Sequence, residues 1–197
     1  ANLLNGAGDA INSNVTTAAG DDANINIKIN SAPTVAQVGS DIDGAETNEE
    51  FGFDVALSGD GTIMAAGAYG NNSKRGDVRI YQNNSGTWNQ LGSDIAGSAG
   101  NARLGREVAL SEDGTIVAIG EYQNGESGGS NGAVKIYEYS GGNWNQVGAS
   151  IYGLAGDKAG SGVALSADGS IVAVGASLHD SNKGTTRIYQ NTGGNWN

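Results

Sequence analysis

Carboxylates are the most numerous groups in this sequence that could do chemistry, and three of them recur in one setting. Asp60, Asp113 and Asp168 each stand in a Ser-x-Asp-Gly sequence. Ca²⁺ is held by several oxygen ligands that alternate along an aspartate-rich loop, whereas each of these sequences supplies one carboxylate. Asp-Gly between apolar runs is instead a strong hairpin signal. The three aspartates are therefore predicted to form turns.

A denser acidic stretch precedes the first of these turns and is a second candidate for cation binding. It contains Asp43, Glu46, Glu49 and Glu50. Its spacing matches no defined calcium loop, so the stretch predicts at most a weak cation site. No cofactor is predicted, and Ca²⁺ remains an unsupported alternative.

Groups for nucleophilic or acid–base catalysis are scarce. The 197 residues include one histidine, His179, and no cysteine, which excludes thiolate chemistry and disulfides. A carboxylate pair of the glycosidase or lyase sort stays open as a less favoured alternative, because acidic residues are numerous. The composition favours a protein that is not an enzyme.

The overall charge bears on the kind of partner. With 21 acidic and 10 basic residues the formal net charge is −11, which repels nucleic-acid phosphates and anionic lipid. No apolar run approaches the roughly 18 residues that a membrane-spanning helix needs. We therefore expect neither nucleic-acid binding nor membrane insertion.

The aspartate turns lie inside a longer phrase that the chain repeats three times. It reads DVALSGDGTIMAAG at 54–67, EVALSEDGTIVAIG at 107–120 and GVALSADGSIVAVG at 162–175. Tryptophans close the repeat units, which span about 35–88, 89–144 and 145–197. A period of this size is typical of propellers and solenoids.

Each unit contains four runs with the character of β-strands. The first alternates apolar residues (VALS) and the second is small and apolar (TIMAAGA). The third, DVRIYQ in the first unit, alternates charged residues that are predicted to face solvent, and the fourth is TWNQLGSDI. Frequent glycines and β-branched residues disfavour helices. Four antiparallel strands per repeat predict an all-β fold of β-propeller blades, with a flat solenoid as the alternative.

The first unit also carries a family resemblance. FGFDVALSGDGTIMAAGAYG, followed by GDVRIYQ, resembles the FG-GAP repeat of integrin α-type propellers and of bacterial surface proteins. Phe51-Gly52 stands where the family has Phe-Gly, and Gly67-Ala68-Tyr69 where it has Gly-Ala-Pro. The later units depart from both motifs, since Leu104-Gly105 and Ala159-Gly160 replace Phe-Gly. The resemblance covers about residues 36–197 and implies a propeller that serves adhesion, ligand binding or scaffolding.

Three blades fall short of the about four to eight of a closed propeller, so the ring is predicted to be incomplete. The chain stops as a fourth strand begins, and residues 35–42 look like a fourth strand without its tryptophan. Completion is expected from further repeats of a longer chain or from self-association. Residues 1–34 are predicted to be an N-terminal extension with one strand, ANINIKIN, that serves as a linker or is donated to a neighbour.

The loops of an up-and-down blade divide into two sets. The turns between strands one and two and between three and four are short and nearly constant, whereas the other loops are longer and differ in every unit. Binding residues tend to lie on variable loops, and this is the ligand face in the family resembled. The predicted contact residues for carbohydrate or protein, which could instead be ordinary loop residues, are Tyr69, Asn71, Tyr122, Asn124, His179 and Asp180.

These patterns predict an extracellular or cell-surface repeat protein that acts in adhesion or assembly. Two versions stay open. In one, the face with the long loops binds a carbohydrate or a surface protein. In the other, the chain is a structural subunit of a fibre or sheath, joined head to tail through its N-terminal strand.

Overall fold

The computed structural model describes residues 36–98, 100–124 and 130–197. Residues 37–197 form one unit, and the predicted N-terminal extension, 1–34, lies outside the described residues. No helix in the described part of the chain is long and apolar enough to cross a bilayer.

Three antiparallel sheets follow one another along the chain, and we call them blades 1, 2 and 3. Blade 1 consists of β1 (Phe51–Leu57), β2 (Ile63–Ala68), β3 (Asp77–Asn84), β4 (Thr87–Gln90) and β5 (Ile95–Ala96). Blade 2 consists of β6 (Leu104–Leu110), β7 (Ile116–Glu121), β8 (Ala133–Ser140), β9 (Asn143–Gln146) and β10 (Ile151–Tyr152). Blade 3 consists of β11 (Ala159–Leu165), β12 (Ile171–Ala176), β13 (Thr185–Thr192) and β14 (Asn195–Trp196). Two helical turns, α1 (Asn71–Lys74) and α2 (His179–Asn182), lie between the second and third strands of blades 1 and 3.

Each blade is an antiparallel meander in which the first strand pairs with the second, the second with the third and the third with the fourth. In blades 1 and 2 the fourth strand comes in two pieces, so that β4 and β5 both pair with β3, and β9 and β10 both pair with β8. A bulge interrupts each first strand near its Phe-Gly position, as the register shift between Phe51 and Val55 shows. The predicted all-β fold of three four-stranded β-propeller blades is confirmed.

The Ser-x-Asp-Gly sequences build the turn after each first strand from their own side chains. In blade 1, Asp60 accepts hydrogen bonds from the Ser58 hydroxyl (2.7 Å) and the Thr62 N–H (2.9 Å). The Ser58 hydroxyl in turn accepts the Ile63 N–H (2.9 Å). Blade 3 repeats the arrangement, where the hydrogen bond from Ser166 is the largest of several that lower the pKa of Asp168 to about 2.

The apolar core lies between the blades. We call the side of a blade that faces the preceding blade its N-side, and the opposite side its C-side. Blade 1 packs its C-side on the N-side of blade 2 through Ile63, Ala65, Val78, Ile80, Ile95, Leu104, Val108, Val117 and Ile119. Blade 2 packs on blade 3 through Ala118, Val134, Ile136, Ile151, Ala159, Val172, Val174 and Ala176.

Two further contacts recur at both interfaces. The indole N–H of Trp144 donates to the carbonyl of Leu91 (2.8 Å), and that of Trp196 to the carbonyl of Val147 (3.0 Å). Main chains also meet closely, because a Cβ at Gly67 would overlap the carbonyl oxygen of Gly105. Glycine is therefore required there by the approach of the neighbouring blade.

The prediction that the charged residues of the third strands face solvent was wrong. Arg79 and Lys135 are buried, and so is Asp77. Alternation marked these positions as outward-facing, but carboxylates of the same blade pair with the cations. Glu49, in the loop before β1, pairs with Arg79, and Glu121, at the end of β7, pairs with Lys135. The N-side of blade 2, which carries Lys135, is also covered by blade 1.

Candidate functional site

One cation lies near the loop end of each third strand, on the face that carries the long loops, which we call the long-loop face. The three cations, Arg79, Lys135 and Arg187, occupy the same position of successive repeats. Buried charges must be paired, and each of them has a carboxylate partner. The partners come from different places in the three blades.

In blade 1 the partner lies in the loop before the first strand. Glu49 accepts two hydrogen bonds from Arg79, at 3.1 and 3.0 Å, and these bonds lower the pKa of Glu49. Asp77 accepts a third bond from Arg79 (3.2 Å) and one from the side-chain amide of Asn71 (2.9 Å). Burial nevertheless raises the pKa of Asp77. This cluster ties the two long loops of blade 1 to its third strand.

In blade 2 the carboxylate lies at the end of the second strand instead. Glu121 is fully buried and lies 3.1 Å from Lys135 Nζ. It also accepts the N–H and the hydroxyl of Ser98 (2.7 and 2.8 Å) and the side-chain amide of Asn124. Ala102 stands where blade 1 has Glu49, two residues before the first strand. The carboxylate has moved while its pairing with the cation is kept.

In blade 3 the loop position is acidic again and the single histidine joins the cluster. His179 Nδ1 lies 2.9 Å from Asp157 Oδ1, and Arg187 approaches Asp157 Oδ2 at 3.4 Å. Burial opposes ionisation of Asp157, but the hydrogen bonds from His179 and from the Leu154 N–H outweigh it and lower its pKa. His179 therefore belongs to a charge-neutralising cluster.

The two tyrosines predicted to contact a ligand are engaged with neighbouring side chains. Tyr69 packs edge-on against Phe53 at 4.5 Å, and Arg103 lies 5.9 Å from the centre of its ring. Arg103 belongs to the loop that leads into blade 2, and Lys158 to the loop that leads into blade 3. The guanidinium of Arg106 lies 4.0 Å, and the amine of Lys158 5.3 Å, from the ring of Tyr122. Both tyrosines thus stabilise contacts between adjacent blades through cation–π attraction.

A polar groove on the long-loop face lies between the two long loops of blade 1. It is lined by residues 46–50 and 70–74 and has a volume of about 670 Å³. One wall carries three successive left-handed residues, Asn72, Ser73 and Lys74. The Gly70 N–H donates to the carbonyl of Glu49 (3.0 Å) and joins the walls. We call this cavity the loop groove.

The predicted site residues are therefore separated into several groups. Glu46, Glu49, Glu50 and Asn71 line the loop groove, whereas Asp43 lines a different, apolar groove. Among the described residues, no group of three or more acidic or histidine side chains is arranged to hold a metal ion. Asn124 and Asp180 belong to the long loops of blades 2 and 3, where Asp180 pairs with Lys183 at 2.7 Å.

The sequence prediction missed the cations of the third strands. The signal that could have found them was an Arg, Lys or Arg at one position, followed by Ile-Tyr in all three units. A charge that recurs in step with the fold points to a structural pairing.

No protein-family model matches the sequence, and neither does any curated protein sequence. Among solved structures, hydrazine synthase of Kuenenia stuttgartiensis aligns with 80% of this chain and 38% of its own, at 17% identity and a TM-score of 0.48. A 6-phosphogluconolactonase candidate from Bacteroides uniformis aligns with 71% of this chain and 36% of its own, at 15% identity and a TM-score of 0.48. TolB of Acinetobacter baumannii aligns with 72% and 30%, at 15% identity and 0.42. The chain thus spans less than two fifths of the length of each of these proteins.

Proposed function

We propose that this chain is an extracellular, FG-GAP-like propeller repeat that acts in adhesion without catalysis, and that the loop groove of blade 1 is its ligand site. The observation that carries the proposal is the groove itself, a polar cavity of about 670 Å³ between two long loops. Ligand sites typically have about 300–1,000 Å³ and lie on loops held by a rigid scaffold.

The chemistry of the groove suits a ligand rich in hydroxyl or amide groups. Its exposed side chains include Glu46, Thr47, Asn48 and Ser73, which supply carboxylate, hydroxyl and amide groups. These groups donate and accept hydrogen bonds, as carbohydrates and polypeptide main chains require. We therefore favour an oligosaccharide or an extended segment of a surface protein.

The floor of the groove supports binding because it is already ordered. Glu49 is held by Arg79, and Asn71 is held by Asp77, so each wall is bonded to the buried third strand. A preformed site loses less conformational entropy when the ligand binds.

The enzyme alternative requires two carboxylates that face each other across one site. The most suggestive acids are Asp54 and Glu107 on neighbouring first strands, where burial, and to a smaller extent Asp54, raises the pKa of Glu107. Asp54 accepts the main-chain N–H of Val108 (2.7 Å), which gives it a role in joining blades 1 and 2. Neither acid lines the loop groove.

A glycan microarray probed with the labelled chain, followed by calorimetry with any oligosaccharide that binds, tests the proposal. We expect Glu46→Ala to weaken binding, because it removes a groove carboxylate that has no part in the buried cluster. Glu138→Ala makes the same charge change on an exposed position of β8 and is the matched control. Equal binding by both variants, or turnover of a bound glycan, would contradict the proposal.

A further inference from the structure

The outer sides of blades 1 and 3 repeat several apolar residues of the inner interfaces. Ile80, Ile136 and Ile188 occupy the same position of successive third strands. The first two are buried against the next blade, but Ile188 is 71% exposed. Ile171, equivalent to the buried Ile63, is also exposed at 40%. The C-side of blade 3 thus has the composition of half an interface.

The N-side of blade 1 has the composition of the other half. Val55 and Leu57 are 57% and 58% exposed, whereas Val108, the equivalent of Val55 in blade 2, is buried. Together with Met64 and Trp88 they line an apolar groove of about 580 Å³. In blade 2 the corresponding surface is covered by blade 1.

A glycine supplies an independent observation. Gly67 and Gly120 of blades 1 and 2 lie so close to Gly105 and Gly160 of the next blade that a Cβ would overlap a carbonyl oxygen. Gly175 occupies the same position in blade 3, yet a Cβ there would meet nothing nearer than 3.3 Å. Within the described chain a Cβ at Gly175 would make only a tight contact with the carbonyl oxygen of Gly162 in the same blade, whereas a docked blade would bring the overlap seen at Gly67 and Gly120.

The edge of the third strand in blade 3 and the segment before blade 1 also correspond to paired elements of the inner blades. Ile95 pairs with Val78, and Ile151 with Val134, to complete blades 1 and 2. Among the described strands β13 pairs only with β12 and β14, and the latter contact begins at Asn191. The segment that carries Ile42 is held as its equivalents are, since the indole N–H of Trp88 donates to the carbonyl of Val38 (3.0 Å). By this equivalence, Ile42 of one copy would pair with Thr186 at the edge of β13 in another copy.

We propose that the C-side of blade 3 docks on the N-side of blade 1 of a second copy of this chain, and that this contact repeats the inner interfaces. Ile188 then fills the apolar groove, Gly175 meets Gly52 of the second copy, and Ile42 of the second copy extends the sheet of blade 3. The contact joins unlike surfaces, so it closes into a ring only when the rotation allows it. Two copies would supply six blades, within the about four to eight of closed propellers.

Light scattering over a range of concentrations tests this contact. We expect the wild-type chain to exceed its monomer mass of 19.8 kDa by a factor of two or more. Ile188→Glu and Leu57→Glu should each remain monomeric, because each places a charge in one half of the interface. Leu154→Glu, a change at a loop residue that is 63% exposed, should associate like the wild type.

Mixing the two monomeric variants gives the sharpest result. Each retains the half that the other has lost, so the mixture should associate through one intact contact although neither variant does so alone. If the C-side of blade 3 instead bound the C-side of a second copy, Leu57→Glu would associate by itself. If the N-side of blade 1 bound the N-side of a second copy, Ile188→Glu would do so.

Gly175→Ala tests the close approach without adding charge. Its melting temperature at low concentration should equal that of the wild type, while its association is lost. A wild-type chain that is monomeric at every concentration, a mixture no larger than its components, or an associating Gly175→Ala would each overturn the proposal. A failure of the loop groove to bind a ligand would leave these association results unchanged.

Discussion

The two inner interfaces and the two outer sides of this molecule share apolar residues at several equivalent positions but differ in what covers them. Ile136 is 1% exposed and Ile188 is 71% exposed, although both follow the cation of a third strand by one residue. Residue type at these positions follows the repeat and is independent of burial in the single chain. The repeat therefore places interface residues on the outer sides as well, where the described chain leaves them exposed.

The largest effect is expected at the polar part of an inner interface. Glu121→Ala removes the carboxylate that pairs with Lys135 and accepts two hydrogen bonds from Ser98. Leaving a buried charge unpaired should lower the free energy of unfolding by about 3–5 kcal/mol, measured by urea denaturation.

A second carboxylate position, the one that blades 1 and 3 use, should rescue the stability lost in Glu121→Ala. Adding Ala102→Glu to Glu121→Ala places an acid where blades 1 and 3 have Glu49 and Asp157, and we expect it to restore a substantial part of the loss. Ala102→Glu alone should destabilise the chain, since Glu121 already neutralises Lys135. No recovery in the double variant would show that the positions are not interchangeable.

The apolar part of the comparison is tested by a pair of truncations. Ile136→Ala should lower the free energy of unfolding by about 2–5 kcal/mol, because it leaves a cavity between blades 2 and 3. Ile188→Ala, the same change on the outer side, should cost less than about 0.5 kcal/mol at concentrations where the chain is monomeric. Similar losses for both would contradict the assigned burial.

A smaller difference is expected for the glycines of close approach. Gly120→Ala forces blades 2 and 3 apart, since its Cβ would overlap the carbonyl of Gly160, and should cost about 1–3 kcal/mol. Gly175→Ala is its control in blade 3. Chemical denaturation of the two variants at low concentration gives the comparison.

The smallest effect concerns the Ser-x-Asp-Gly turns, whose internal hydrogen bond from serine to aspartate is the same in all three blades. The pKa of Asp168 is lowered to about 2 by hydrogen bonds from Ser166 and Ser170, whereas an unfolded chain has an ordinary aspartate pKa near 4. A lowered pKa contributes stability that is present above about pH 4 and is lost as the pH falls towards about 2. Asp168→Asn should therefore unfold with a shallower pH dependence in that window than the wild type, as acid titration with circular dichroism would show.

Local patterns in the sequence were enough to predict the strands. The Ser-x-Asp-Gly turn forms its hydrogen bonds within six residues, from Ser58 to Ile63. The run before it alternates apolar residues and the run after it is apolar throughout, as half-buried and fully buried strands are. Their order as a four-stranded meander follows from short connections. No partner distant in sequence is needed for these predictions.

The burial of Arg79 and the engagement of Tyr69 could not be predicted in this way. Glu49, which neutralises Arg79, is 30 residues away, and Arg103, over the ring of Tyr69, comes from the next repeat. Charge alternation describes a strand by itself, whereas these two side chains are covered by a loop of the same blade and by the next repeat. The candidate site therefore depended on packing between repeats, which one repeat does not reveal.

The claim that the outer sides are two halves of one interface is tested most directly by the methyl resonance of Met64. The chain contains one methionine, and it lines the apolar groove on the N-side of blade 1, so a ¹³C-methyl label reports on this surface alone. We expect a resonance that shifts or broadens with protein concentration in the wild type and stays constant in Gly175→Ala. A resonance independent of concentration in the wild type would contradict it.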